Sequence, residues 1–173
     1  DLDEKNITSA QLELSDGTVR PLTSAVETRE TEVETETGET DENGEPIYET
    51  TTETEEITLW SLDGQPLPEG AVGLEAWMYD LPTLYLDSCS AFKADQEELS
   101  ACGMDGASLL TVSLTSGETF TLAIGGQTED GSYVYAALEA PAPGCDLFLI
   151  SADKARTLSD LNYESLSANE EAE

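Results

Sequence analysis

The chain has 173 residues, a hydrophobic content of 38% and a formal net charge of −32 from 38 acids against 6 bases. That length suits one domain with an appendage. So acidic a chain repels nucleic acid and anionic lipid surfaces and favours small cations or basic proteins as partners.

The chain opens with a hairpin. In "ITSAQLEL" (Ile7–Leu14), Ala10, Leu12 and Leu14 alternate with polar residues, as in a half-buried strand. "SDGT" turns the chain, and Val19–Val26 returns as a second strand.

A Glu-Thr tract follows. Between Glu27 and Glu56 stand twelve Glu and one Asp against Arg29 alone, a net charge of −12. β-branched Thr favours strand over helix, and Asn43-Gly44 is a strong hairpin signal because both residues tolerate positive φ. A register centred on Asn43-Gly44 sets Val33 across from Thr54, Thr35 from Thr52 and Thr37 from Thr50. Glu32 then meets Glu55 and Glu34 meets Glu53, giving one Thr face and one carboxylate face. The tract is expected to form a protruding two-stranded β-ribbon at about residues 26–60, rooted in the apolar "ITLWSL" (Ile57–Leu62). Its uncharged Thr face is the expected contact surface for a protein partner or for self-association. Glu30, Glu32, Glu34, Glu53 and Glu55 are the candidate cation ligands, for Ca²⁺, which takes six to eight hard oxygens. Set against that, such a stripe serves equally as a solvated face that keeps the protein soluble and blocks edge pairing.

Past a loop at Asp63–Gly70, the helical spacing of Ala71, Leu74, Trp77, Met78 and Leu81 predicts an amphipathic helix that Pro82 stops. An extended stretch is expected around Ser90–Lys93, then a helical turn over Asp95–Met104 ending at Gly103. Leu110, Val112 and Leu114, then Phe120, Leu122 and Ile124, alternate with polar or small residues about a Ser116-Gly117 turn. Gly125-Gly126 is expected to end that hairpin. Tyr133–Leu138 and Cys145–Ile150 make two more strands, and Ser151 is expected to cap a helix bearing Ala155, Leu158 and Leu161.

Strands followed by a helix, twice over, predict an α+β fold. Antiparallel sheet carries two amphipathic helices in two similar β-rich units, with the acidic ribbon appended. The expected division of the single domain is residues 1–93, containing the ribbon, residues 94–166, and a flexible tail at 167–173.

The chemistry is restrictive. There is no histidine, so Ser-His-Asp and Cys-His systems and the usual His-bearing zinc sites are excluded. Neither a GxGxxG nor a GxxxxGK[ST] cradle is present. Cys89, Cys102 and Cys145 have no CxxC spacing, and three buried thiols are expected, with one disulfide plus a spare thiol as the alternative. Trp60, Trp77, Tyr79, Tyr85, Tyr133 and Tyr135 are expected in the core or half-buried on the sheet, with a glycan- or small-molecule-binding surface as the alternative. No catalytic residue and no cofactor-binding residue is assigned, and no apolar run is long enough to span a membrane.

Beyond the ribbon, much of the chain resembles the bacterial family called domain of unknown function 4340. "ELSACGMDGA" stands where the family reads "DLxxYGLDxP", "GETFTLAIGG" where it reads "YTLxIG", and "GSYVYAAL" and "CDLFLIS" follow in order. "ITSAQLELSDG" and "EITLWSL" look like the family's opening and tryptophan-bearing strands. Cys102 replaces the usual aromatic, and Ala107 sits where proline is common. The resemblance implies a non-enzymatic module outside the cytoplasm, at the cell surface or envelope. It also implies an upstream membrane anchor in the full protein and an accessory role beside transporter components of the gliding-motility type.

Overall fold

A computed structural model describes residues 4–40 and 46–168. Its strands form one sheet of nine: β1 (Ile7–Glu13), β2 (Val19–Thr40), β3 (Pro46–Leu62), β4 (Gln65–Pro66), β5 (Ser88–Ala91), β6 (Ser108–Leu114), β7 (Thr119–Gln127), β8 (Tyr133–Ala137) and β9 (Leu147–Ser151). The order across the sheet is β4-β3-β2-β1-β6-β7-β8-β9-β5. The pairs β1–β2, β1–β6, β3–β4, β5–β9, β6–β7, β7–β8 and β8–β9 are all antiparallel. With helices α1 (Val72–Asp80), α2 (Gln96–Ala101), α3 (Ala152–Ser159) and α4 (Tyr163–Leu166), this is an α+β fold.

Alternation along the strands divides the core between two faces. Leu110, Val112, Leu122, Ile124, Val134, Ala136 and Ile150 point to one face, which α1, α3 and α4 cover with Leu74, Trp77, Met78, Ala155, Leu158 and Leu166. Ala123, Ala137 and Leu147 point to the other, under Leu99 of α2 and Met104. Small side chains at 123 and 137 leave room for that second layer. Lys154 of α3 donates to the Thr83 carbonyl and hydroxyl, each at 2.6 Å, and lies 3.8 Å from Asp80, tying α3 to the end of α1. Gly73 of α1 lies against the backbone of α4, where a Cβ would overlap the Ser165 carbonyl oxygen.

Several local expectations are corrected. Gly125-Gly126 does not end β7. The strand runs through it to Gln127, with a register shift between Ile124 and Gln127, because the glycines admit the chain around Gly103. Gly126 N–H donates to the Cys102 carbonyl at 2.8 Å, and a Cβ on Gly125 would meet the Met104 sulfur. Ser151 makes no side-chain cap to α3. The extended stretch is Ser88–Ala91 and stops before Lys93, whose φ of 53° breaks it. The thiols are all free, but only Cys145 is buried: Cys89 is exposed and Cys102 half-buried. Tyr79 and Tyr85 are 62% and 77% exposed, whereas Trp77 is buried.

The chain divides into two compact units. One comprises the described residues up to Ser24 and from Trp60 onward; the other is Ala25–Leu59. The boundary expected at residues 93/94 falls inside the first.

Candidate interaction surface

The second unit consists of the distal parts of β2 and β3, neighbours in the sheet. Thr and Glu alternate through both, and extended backbone suits β-branched Thr. Of the side chains described there, only Val33, Ile57 and Leu59 are even half-buried. This strand pair has no core of its own, and an isolated two-stranded hairpin is marginally stable at best.

Two contacts fix how the strands face each other. Thr51 Oγ1 donates to the Val33 carbonyl at 3.4 Å, and Asp63 N–H donates to the Pro21 carbonyl at 2.9 Å. Both have the same offset, and it sets Val33 across from Thr51, three residues away from the expected Thr54. Across from Thr54 in that offset is Glu30; Thr52 meets Glu32, Thr50 meets Glu34, and Arg29 meets Glu55. An odd shift exchanges the faces of one strand relative to the other. Each face therefore carries one Glu column and one Thr column, and the expected uncharged Thr face does not form. The physical gain is plain: carboxylates directly opposite one another repel, and the observed offset sets Glu30, Glu32, Glu34, Glu49 and Glu53 across from threonines and Glu55 across from Arg29. The Asn43-Gly44 turn lies outside the described residues.

The backbone orientation of β3 follows from its base. Asp63 N–H points to β2, whereas the Trp60 carbonyl accepts from Leu67 N–H at 2.8 Å on the opposite side. Odd-numbered residues of β3 therefore turn their backbone groups toward β2, and even-numbered ones turn them away. On that outer side β4 pairs only with Ser61 and Leu62. From Tyr48 to Thr58, the groups of every second residue face an edge that no strand covers among the described residues.

Glu30, Glu32, Glu34, Glu53 and Glu55 are all exposed. Among the described residues, no three Asp, Glu or Cys side chains converge to hold a metal ion. The offset instead places Glu30, Glu32 and Glu34 on one face and Glu49, Glu53 and Glu55 on the other, so the five candidates do not form one set.

Elsewhere the surface offers less. A cavity of about 500 Å³ between α3 and the β7–β8 loop has Ile124, Val134 and Ala155 in its walls and Gln127, Asp153 and Arg156 among its polar lining. Arg156 is spent on Asp153 at 3.0 Å, and both are largely exposed. In that loop, hydrogen bonds from the Thr128 hydroxyl and Ser132 N–H hold the Asp130 carboxyl below the ordinary aspartate range. Thr18 does the same for Asp16 in the β1–β2 turn. Both are turn-closing contacts. Burial first, then the Glu98 charge, push the Cys102 thiol up, away from nucleophilic reactivity. No helix is long and apolar enough to cross a membrane among the described residues. No protein-family model, no curated protein and no solved structure matches this chain.

Proposed function

We propose that this chain is a non-enzymatic interaction or scaffold module of a bacterial envelope protein. It works outside the cytoplasm, carried by a membrane anchor elsewhere in the full protein, as an accessory to a transporter system. The acidic strand pair is the interaction element, and the remaining α+β unit is its support.

The observation that carries the reading is the contrast in burial. Within Ala25–Leu59, residues 25–40 and 46–59 are held in two long strands whose described side chains are nearly all solvated and whose outer edge no strand covers among the described residues. Edges of this length are sites where another chain adds a strand. The envelope location and the transporter association rest on the family resemblance of Ala94–Leu161.

The test is a photo-crosslinking amino acid placed at Thr52 on the edge, or at Thr115 in the exposed β6–β7 turn, in the full protein in its own cells. A discrete adduct from position 52 in the envelope fraction, with none from position 115, supports the proposal. Adducts from neither position, or equally from both, count against it.

A further inference from the structure

We propose that the outer edge of β3 takes an extended basic segment of a partner protein, in which Lys or Arg alternates with β-branched residues. This deepens the interaction reading above and rests on it.

Residues 48, 50, 52, 54, 56 and 58 turn their N–H and C=O groups to an edge that no strand covers among the described residues, so an added strand completes the ladder residue by residue. An added strand also lays its side chains beside those of β3, face by face. Over residues 49–55, one face of β3 carries Glu49, Thr51, Glu53 and Glu55 and the other carries Thr50, Thr52 and Thr54, with Glu56 following on the second face. A strand that alternates cation and Thr or Val meets the carboxylates with its cations and the Thr column with its β-branched side chains. Opposite charges set directly across a strand pair stabilise it, and like charges destabilise it. The net charge of −12 between Glu27 and Glu56 steers such a segment in and opposes an acidic one. A second copy of this chain brings its own −32, so the basic partner is the favoured occupant.

The probe is a twelve-residue peptide of alternating Lys and Thr, titrated into the whole chain. Its control has the same composition with all Lys in one block. Charge alone treats the two alike; edge pairing does not. The alternating peptide is expected to bind at least about tenfold more tightly, to weaken steeply with added salt, and to slow amide exchange at Thr50, Thr52 and Thr54. Thr52→Pro removes one outward N–H while leaving the N–H groups directed at β2, and is expected to abolish the preference for the alternating peptide. In case that variant loosens the strand pair, a charge reversal provides a second arm. Glu53→Lys with Glu55→Lys should lose the Lys-Thr peptide and gain an alternating Glu-Thr one.

Equal binding of the two Lys peptides, binding without amide protection, or self-association of the chain at the same edge would each overturn the proposal. If the alternating peptide fails while Thr51, Glu53 and Glu55 amides stay protected in the free chain, the strand pair stands and only the basic partner is lost.

Discussion

β6 with β7 and the distal halves of β2 with β3 are both pairs of neighbouring strands with alternating side chains, yet they are held by different forces. In β6–β7, Val112 pairs with Phe120 and Leu110 with Leu122, and the apolar side chains fill one face beneath α1 and α3. The Thr111 and Thr121 hydroxyls meet at 3.3 Å on the other face. In the acidic pair, the alternating partner of Thr is Glu, and neither face finds a core. Alternation in the first pair encodes burial; alternation in the second encodes a charge pattern on an open edge.

The largest expected effects lie in the supporting unit. Trp77 is 1% exposed and sits within the main core cluster. Trp77→Ala should cost about 3–5 kcal/mol in denaturant unfolding, whereas Val33→Ala in the acidic pair should change the same midpoint by less than about 0.5 kcal/mol. A comparable loss at Val33 would break the distinction between the two regions.

Gly125→Ala comes next. The added Cβ runs into the Met104 sulfur and approaches the Cys102 carbonyl oxygen at 3.0 Å, so an overpacking cost of about 1–3 kcal/mol is expected in the same unfolding experiment. Removing the Arg20–Asp63 pair, 3.1 Å apart and partly exposed, should cost only about 0.2–1 kcal/mol.

The smallest effect sharpens the comparison. Ser24 and Trp60 face each other in the observed offset and mark the edges of the supporting unit. Ala25 and Leu59, the next pair outward, turn their backbone groups toward each other, so replacing Val26–Thr58 between them by a two-residue Asn-Gly turn should leave the thermal midpoint of the remainder nearly unchanged. Its acid limb should be equally unaffected, because the depressed carboxyls at Asp16 and Asp130 stay in place. Their sign is that of lowered carboxylates. The stabilisation is complete above the ordinary aspartate range and is lost as pH falls through the lower folded values. The stability difference between the wild type and Asp130→Asn should therefore be constant at neutral pH and shrink below that range.

Legibility in the sequence followed the same division. α1 and β6–β7 could be read because Leu74, Trp77 and Met78, or Leu110 and Val112, put all their apolar atoms on one side. The pairing of β1 with β6 joins residues a hundred positions apart, and no local pattern encodes it. Gly125-Gly126 reads as a strand end in the sequence because the reason for it, the close approach of Cys102 and Gly103, is tertiary. In the acidic pair, strand character was legible and register was not. Where both faces are polar, nothing apolar penalises a slip, and Glu repulsion across the strands decides the offset instead. That is why the candidate Glu residues divide between two faces.

Residue-resolved amide exchange along β3 in the free chain reads out whether its outer edge is open. An alternating pattern is expected over residues 48–58: slow exchange at Thr51, Glu53 and Glu55, which face β2, and fast exchange at Thr50, Thr52 and Thr54, which face the open edge. Uniformly fast exchange, or slow exchange at the even positions, would contradict it.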